Sequence, residues 1–221
     1  MERLTIQVGG FEVNCSILSE NGKAWIVDPG QEAERILDLL KKKNLVPAAI
    51  LLTHAHFDHI GAVPALQAAY PDLKVCVHKN DVRVLTHPMN QLPPDYPPVA
   101  RPKNLVELEA GAKLDGLDDL EVLETPGHTP GGVCYFFSEK PARPSTEQSE
   151  QSEQSNNPLL LSGDTLFAGS IGRTDLPGGD MATLMDSLKK LTALPDDTLV
   201  VPGHGPSTSI AAEKGGNPFL Q

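Results

Sequence analysis

Short apolar runs alternate along the chain with a few amphipathic stretches of helical period, the pattern of a layered α/β protein. Residues 4–27 read as a β-meander, with strands at 13–18 and 24–27 joined through Asn21-Gly22, a strong hairpin signal. Residues 31–43 read as an amphipathic helix. Ala33, Ile36, Leu37 and Leu40 share one face; Glu32 and Glu34 come early and Lys41 to Lys43 late, as the helix dipole favours. A buried strand is predicted at 48–52, a helix at 60–70 that tolerates Pro64 only in its first turn, a strand at 74–78 and a short helix at 81–85. Further strands are predicted at 105–109, 120–123, 133–137, 159–161 and 198–201. The clearest helix is 180–191, with Asp180 as cap and Met181, Leu184, Met185, Leu188 and Leu191 as its buried stripe. A short closing helix is expected at 208–214.

Two stretches interrupt this pattern. Residues 86–104 are proline-rich and read as a long ordered loop of the kind that walls an active site, with Tyr96 its only aromatic. Residues 139–158 repeat Glu-Gln-Ser between Glu147 and Ser155 and hold almost no apolar side chain. Such a segment cannot offset its own ordering entropy, so it reads as a low-complexity mobile loop inserted in a hairpin. It does not divide the chain, because the polar turns on either side belong to one constellation; residues 1–221 are expected to form a single domain.

Charge narrows the function. Lys plus Arg number 18 and Asp plus Glu 29, for a net charge of −11, which disfavours nucleic acid as a partner. Cys15, Cys76 and Cys134 sit in apolar strand-like contexts without Cys-x-x-Cys spacing and read as small buried hydrophobes. No disulfide framework, leader or apolar run near the roughly 20 residues of a membrane span is visible, so a cytoplasmic protein with no membrane contact is expected. Oligomeric state is left open.

The candidate chemistry centres on Thr53-His54-Ala55-His56-Phe57-Asp58-His59, between the strand at 48–52 and the helix at 60–70. His54 and His56 are two apart and point the same way on an extended backbone, whereas the adjacent Asp58 and His59 diverge and can face a second centre. An isolated His-x-His would be no more than a polar loop. Here three glycine-rich turns, each after a predicted strand, add His128 (125–132), Asp164 (162–165) and His204 (202–205). Imidazoles with carboxylates suit zinc with open positions, and the same set suits iron or manganese. His78 and His87 lack a glycine-turn context and read as ordinary core or surface histidines.

His54-x-His56-x-Asp58-His59, His128, Asp164 and His204, in this order, resemble the metallo-β-lactamase superfamily over essentially the whole chain. The segment 163–180, GDTLFAGSIGRTDLPGGD, and the ending Asn217-Pro218-Phe219-Leu220 resemble its short, single-domain, glyoxalase II-like (hydroxyacylglutathione hydrolase-like) bacterial hydrolases. The resemblance implies a four-layer αββα sandwich of two mixed β-sheets with outer helices. It implies two divalent metal ions, most readily zinc: His54, His56 and His128 on the first, Asp58, His59 and His204 on the second, and Asp164 bridging. Asp28 would lie close beneath them, although taken alone it reads as a helix cap.

Function then follows as an expectation. A metal-bridging hydroxide is the nucleophile, with Asp58 able to orient it and shuttle its proton. A thiolate, of reference pKa about 8.5, leaves with little proton help, whereas an amide nitrogen needs an acid, so a small-molecule thioester is the less demanding substrate. The family resemblance points to S-lactoylglutathione or related 2-hydroxyacyl thioesters. Full-length glyoxalase II holds glutathione partly with a C-terminal helical domain, and only 17 residues follow His204 here. Substrate recognition is therefore expected from the loop after Asp164, where Arg173 can pair a substrate carboxylate or, equally, Asp175 or Asp180. The alternatives are a mononuclear-iron persulfide dioxygenase, which the Gly172-Arg173-Thr174-Asp175 segment also resembles, and hydrolysis of another ester or a lactone or lactam.

Overall fold

The computed structural model describes residues 1–88, 99–138 and 157–221. Residues 89–98 of the proline-rich loop, with Tyr96, and 139–156 of the low-complexity stretch lie outside the described residues. The chain begins with β1 (Glu2–Val8), β2 (Val13–Glu20), β3 (Lys23–Val27), α1 (Ala33–Lys42) and β4 (Val46–Leu51). Next come α2 (Phe57–Ile60), α3 (Val63–Ala69), β5 (Lys74–His78), β6 (Leu105–Leu108), β7 (Leu120–Glu124) and β8 (Val133–Phe137). It ends with β9 (Leu159–Gly163), β10 (Leu166–Phe167), β11 (Ser170–Ile171), α4 (Met181–Thr192), β12 (Leu199–Pro202), β13 (Thr208–Ser209) and α5 (Ile210–Gly216).

Strands β1 to β6 form one sheet in chain order, antiparallel up to β3 and parallel from there to β6. The second sheet runs β13-β12-β9-β8-β7 and is parallel only at β12–β9. Both sheets are thus mixed. Alternation along each strand divides its side chains between two cores. On β4, Ile50 packs with Ile36 and Leu40 of α1 and Val63 and Leu66 of α3, while Leu51 faces inward. On β8, Tyr135 and Phe137 fill the space between the sheets, whereas Cys134 and Phe136 meet Leu184, Leu188 and Leu191 of α4 and Ile210 of α5. Three cores separating helices, sheet, sheet and helices make the expected αββα sandwich.

Several local expectations are corrected. The helix expected at 60–70 is two pieces, because the Ala62 N–H donates to the Pro29 carbonyl at 3.0 Å and Pro64 opens a new helix. The first piece starts early enough to carry Asp58 and His59. The helix expected at 81–85 is a 3-10 turn, Lys79–Asp81, followed by turns, as the Asp81 side chain is drawn inward. Met181 is not part of the buried stripe: it is 47% exposed at the first helical position, and the stripe begins at Leu184. The two-residue strands β10 and β11 were too short to show any period. Among the described residues all three cysteines are free and buried, and no helix is long and apolar enough to cross a membrane.

Candidate metal centre

The seven polar residues arrive at one end of the sandwich. His54 and His56 follow β4, Asp58 and His59 sit on α2, His128 lies in the β7–β8 turn, Asp164 follows β9, and His204 follows β12. Glycine makes two of these approaches possible. Gly127 has φ +134°, and an added Cβ would collide with the Leu184 backbone of α4. A Cβ on Gly203 would overlap Asp164 Oδ1 and stand 2.8 Å from the His59 ring.

The histidines are oriented from behind. His128 Nδ1 donates to the Arg173 carbonyl at 2.7 Å, His204 Nδ1 to the Phe11 carbonyl at 2.8 Å, and His59 Nδ1 to Asp28 Oδ2 at 3.0 Å. Thr53 Oγ1 donates to Asp28 Oδ2 at 2.6 Å, which leaves it to accept from His54 Nδ1 at 3.1 Å. Each of these bonds fixes a tautomer whose Nε2 lone pair points into the site. His56 presents its other nitrogen: Nδ1 stands 2.9 Å from His128 Nε2.

Two groups result whose ligand atoms lie within 4.8 Å of one another: His54, His56 and His128, and Asp58, His59 and His204. Asp164 stands between them, Oδ2 3.6 Å from both His128 Nε2 and His204 Nε2, and Oδ1 3.4 Å from His59 Nε2. His54 Nε2 and Asp164 Oδ1 are buried without a hydrogen-bond partner, a costly arrangement unless a cation completes it. The donor set therefore fits one divalent ion in each group, with Asp164 facing both.

Two residues behind the site were read incompletely or missed. Asp28 caps no helix; it accepts from Thr53 N–H at 2.8 Å as well as from Thr53 Oγ1 and His59, and so holds both groups from beneath. Asp28, His54 and His59 also lie within 4.8 Å of one another, but Asp28 already accepts these three bonds. Asp81, fully buried, accepts from Ala55 N–H at 3.0 Å, Thr129 Oγ1 at 2.8 Å and Gly131 N–H at 2.6 Å. It ties the His54–His56 loop to the His128 turn. Its sequence signal was weak, since an Asp after a strand reads first as a helix cap.

Above the site lies a pocket of about 1000 Å³, lined in part by Phe11, Phe57, Lys79, Arg83, His87 and Arg173. His87, read from the sequence as outside the site, is on its wall; His78 instead is buried and pairs with Glu124 at 2.9 Å. The Arg173 guanidinium grips Asp175 through two bonds of 2.6 and 2.7 Å, which lowers the Asp175 carboxyl to about 2. Its carbonyl accepts from His128 Nδ1, and the residue lines the pocket. Phe11 and Phe57 meet edge to face at 5.4 Å and form an apolar wall.

The two groups hold protons differently. Burial, reinforced by neighbouring imidazoles, lowers His54 well below the ordinary range and brings His56 to about 4. Burial also works against the charged forms of His59 and His204, but it is outweighed: by Asp164, Asp58 and Asp28 for His59, and by Asp58 and Asp164 for His204. Both are raised. A cation entering beside His59 and His204 must displace protons held more tightly than usual, so its affinity begins to fall at a pH above the ordinary imidazole range. Acidification is expected to release metal from the Asp58–His59–His204 group first. Metal content against pH should fall in two steps; simultaneous loss of all metal would contradict it.

The sequence profile of the Metallo-beta-lactamase superfamily matches residues 8–142 and 139–204. The chain belongs to that superfamily. Among superfamily relatives it is similar to the probable metallo-hydrolase YqgX of Bacillus subtilis (strain 168), 38% identical over 218 residues, 96% of this chain and 94% of that one. It is also similar to the hydroxyacylglutathione hydrolase GloC of Haemophilus influenzae, 34% identical over 229 residues, 97% of this chain and 96% of that one. The structure of BLEG-1 B3 metallo-beta-lactamase superposes with a TM-score of 0.82 at 38% identity, covering 99% of each chain. TTHA1623 in a di-iron-bound form gives 0.80 at 36% identity, covering 98% of this chain and 100% of that one. Superfamily membership and the Asp/His cluster together mark a metal-dependent enzyme.

Proposed function

We propose that the protein is a binuclear metallohydrolase that cleaves a thioester, of the S-lactoylglutathione or related 2-hydroxyacyl kind. The observation that carries this reading is the pair of three-residue groups facing Asp164 at the floor of the pocket, with every Nδ1-anchored imidazole turned inward. His54, His56 and His128 would hold one cation, Asp58, His59 and His204 the second, with Asp164 shared. Zinc suits this set; iron is equally compatible with the donors, and the similar TTHA1623 is described in a di-iron form. When bound, the cations supply Lewis acidity toward the substrate carbonyl and a water acidified enough to serve as nucleophile at neutral pH.

The chain's own residues do the rest. Asp58 stays ionised: burial opposes this, but His59 and His204 outweigh it and lower its pKa. It can therefore align the attacking water and accept its proton. Phe11 and Phe57 give one side of the pocket an apolar surface. A thiolate then leaves without a dedicated acid, since thiols ionise at about 8.5. The likeness to GloC, whose name states hydroxyacylglutathione hydrolysis, supports the substrate class.

A second reading, opening of a β-lactam ring, is favoured by the likeness to BLEG-1. Zinc-loaded and iron-loaded protein should be assayed with S-lactoylglutathione, a neutral 2-hydroxyacyl thioester and nitrocefin, with oxygen uptake followed on glutathione persulfide. Preferential thioester turnover supports the proposal. Nitrocefin turnover exceeding it, or oxygen uptake dependent on the persulfide, replaces it with the corresponding alternative.

A further inference from the structure

The pocket gathers cations. Lys79 and Arg83 come from the segment after β5 and Arg173 from the segment after β11, while its only lining carboxylates among the described residues are Asp58 and Asp164 on the metal floor. In a chain with 18 basic and 29 acidic side chains, that distribution is selective. Two of the three cations are already engaged: Lys79 with Glu109 at 2.9 Å, and Arg173 with Asp175. Arg83 is exposed and makes no hydrogen bond or ion pair with any described residue. A guanidinium at a pocket wall, undiverted by a neighbouring carboxylate, presents a planar fork that matches a carboxylate.

We infer that Arg83 is the anion-recognising residue of this pocket and binds a carboxylate on the thiol half of the substrate. The inference rests on the thioester reading, because a small 2-hydroxyacyl group carries no charge and the thiol half must then supply the anion. Arg173 lines the same pocket, but its guanidinium is shared with Asp175. The fold loses nothing when Arg83 is changed, since no contact within the described structure depends on its charge.

The test is binding, separate from turnover. Calorimetry on the zinc-loaded full chain compares S-hexylglutathione with its diethyl ester, which removes the carboxylate charges alone. The wild-type protein is expected to prefer the free acid by about tenfold or more, the worth of one charge-assisted bond, and Arg83→Gln to abolish that preference. Metal content and affinity for the diester should not change in the variant. An undiminished preference in Arg83→Gln, or none in the wild type, overturns the inference. Failure of the thioester reading looks different: the Arg83-dependent preference persists while no thioester is hydrolysed.

Discussion

Asp164→Ala is expected to lower kcat/KM by about a thousandfold or more, several kcal/mol of lost electrostatic stabilisation. Asp164 faces both three-residue groups, with Oδ2 3.6 Å from His128 and from His204. Burial would raise its pKa, yet His59, His128 and His204 hold it far below the carboxylate range, so it enters the site as an anion. On the binuclear reading, removing it would take a ligand from both cations and leave their mutual repulsion unscreened. The fold should survive, because Oδ1 carries no hydrogen bond to lose. Asp175→Ala is the control: its partner Arg173 is a surface pair, 61% and 68% exposed, and surface pairs contribute little. Steady-state kinetics with metal analysis and circular dichroism of both variants reads the result. Retention of a tenth or more of the wild-type rate in a folded Asp164→Ala would refute the shared-ligand role.

Stripping the metals is expected to lower Tm by about 10 °C, reversibly. Ligand binding at a thousandfold excess over Kd stabilises by about 4 kcal/mol, and a domain of this size shifts by roughly 2–4 °C per kcal/mol. The physical reason lies in how the site is assembled. His128, Asp164 and His204 come from segments far from residues 54–59 in the chain, and among the described residues their inner nitrogens and oxygens face one another. On the binuclear reading a cation would join these segments, since His59 Nε2 and His204 Nε2 already stand 3.3 Å apart. Thermal unfolding with chelator, then with zinc restored, measures the effect. An unchanged Tm would mean that the backbone alone holds the cluster.

The convergence of these seven side chains was legible in the sequence because each sits in a recognisable local pattern. His54 and His56 share a direction by strand period, and the other ligands sit in glycine turns that end recognisable strands. The layers were legible for the same reason: β4, β8 and β9 alternate between two cores. What the sequence did not show depends on partners distant in the chain. Asp28 looks like a cap until Thr53 and His59 are seen to converge on it. Asp81 looks like part of a short helix until Ala55, Thr129 and Gly131 turn it inward. Arg173 offered a substrate contact or a local salt bridge with equal merit; it forks on Asp175 while also lining the pocket. His87 gave no periodic signal, yet the fold brings it to the pocket.

Crystals of the zinc-loaded protein, measured at the zinc absorption edge, address the central claim most directly. The account predicts two anomalous peaks per chain, one among His54, His56 and His128 and one among Asp58, His59 and His204, with Asp164 in contact with both. A single peak, or peaks away from these side chains, would contradict it.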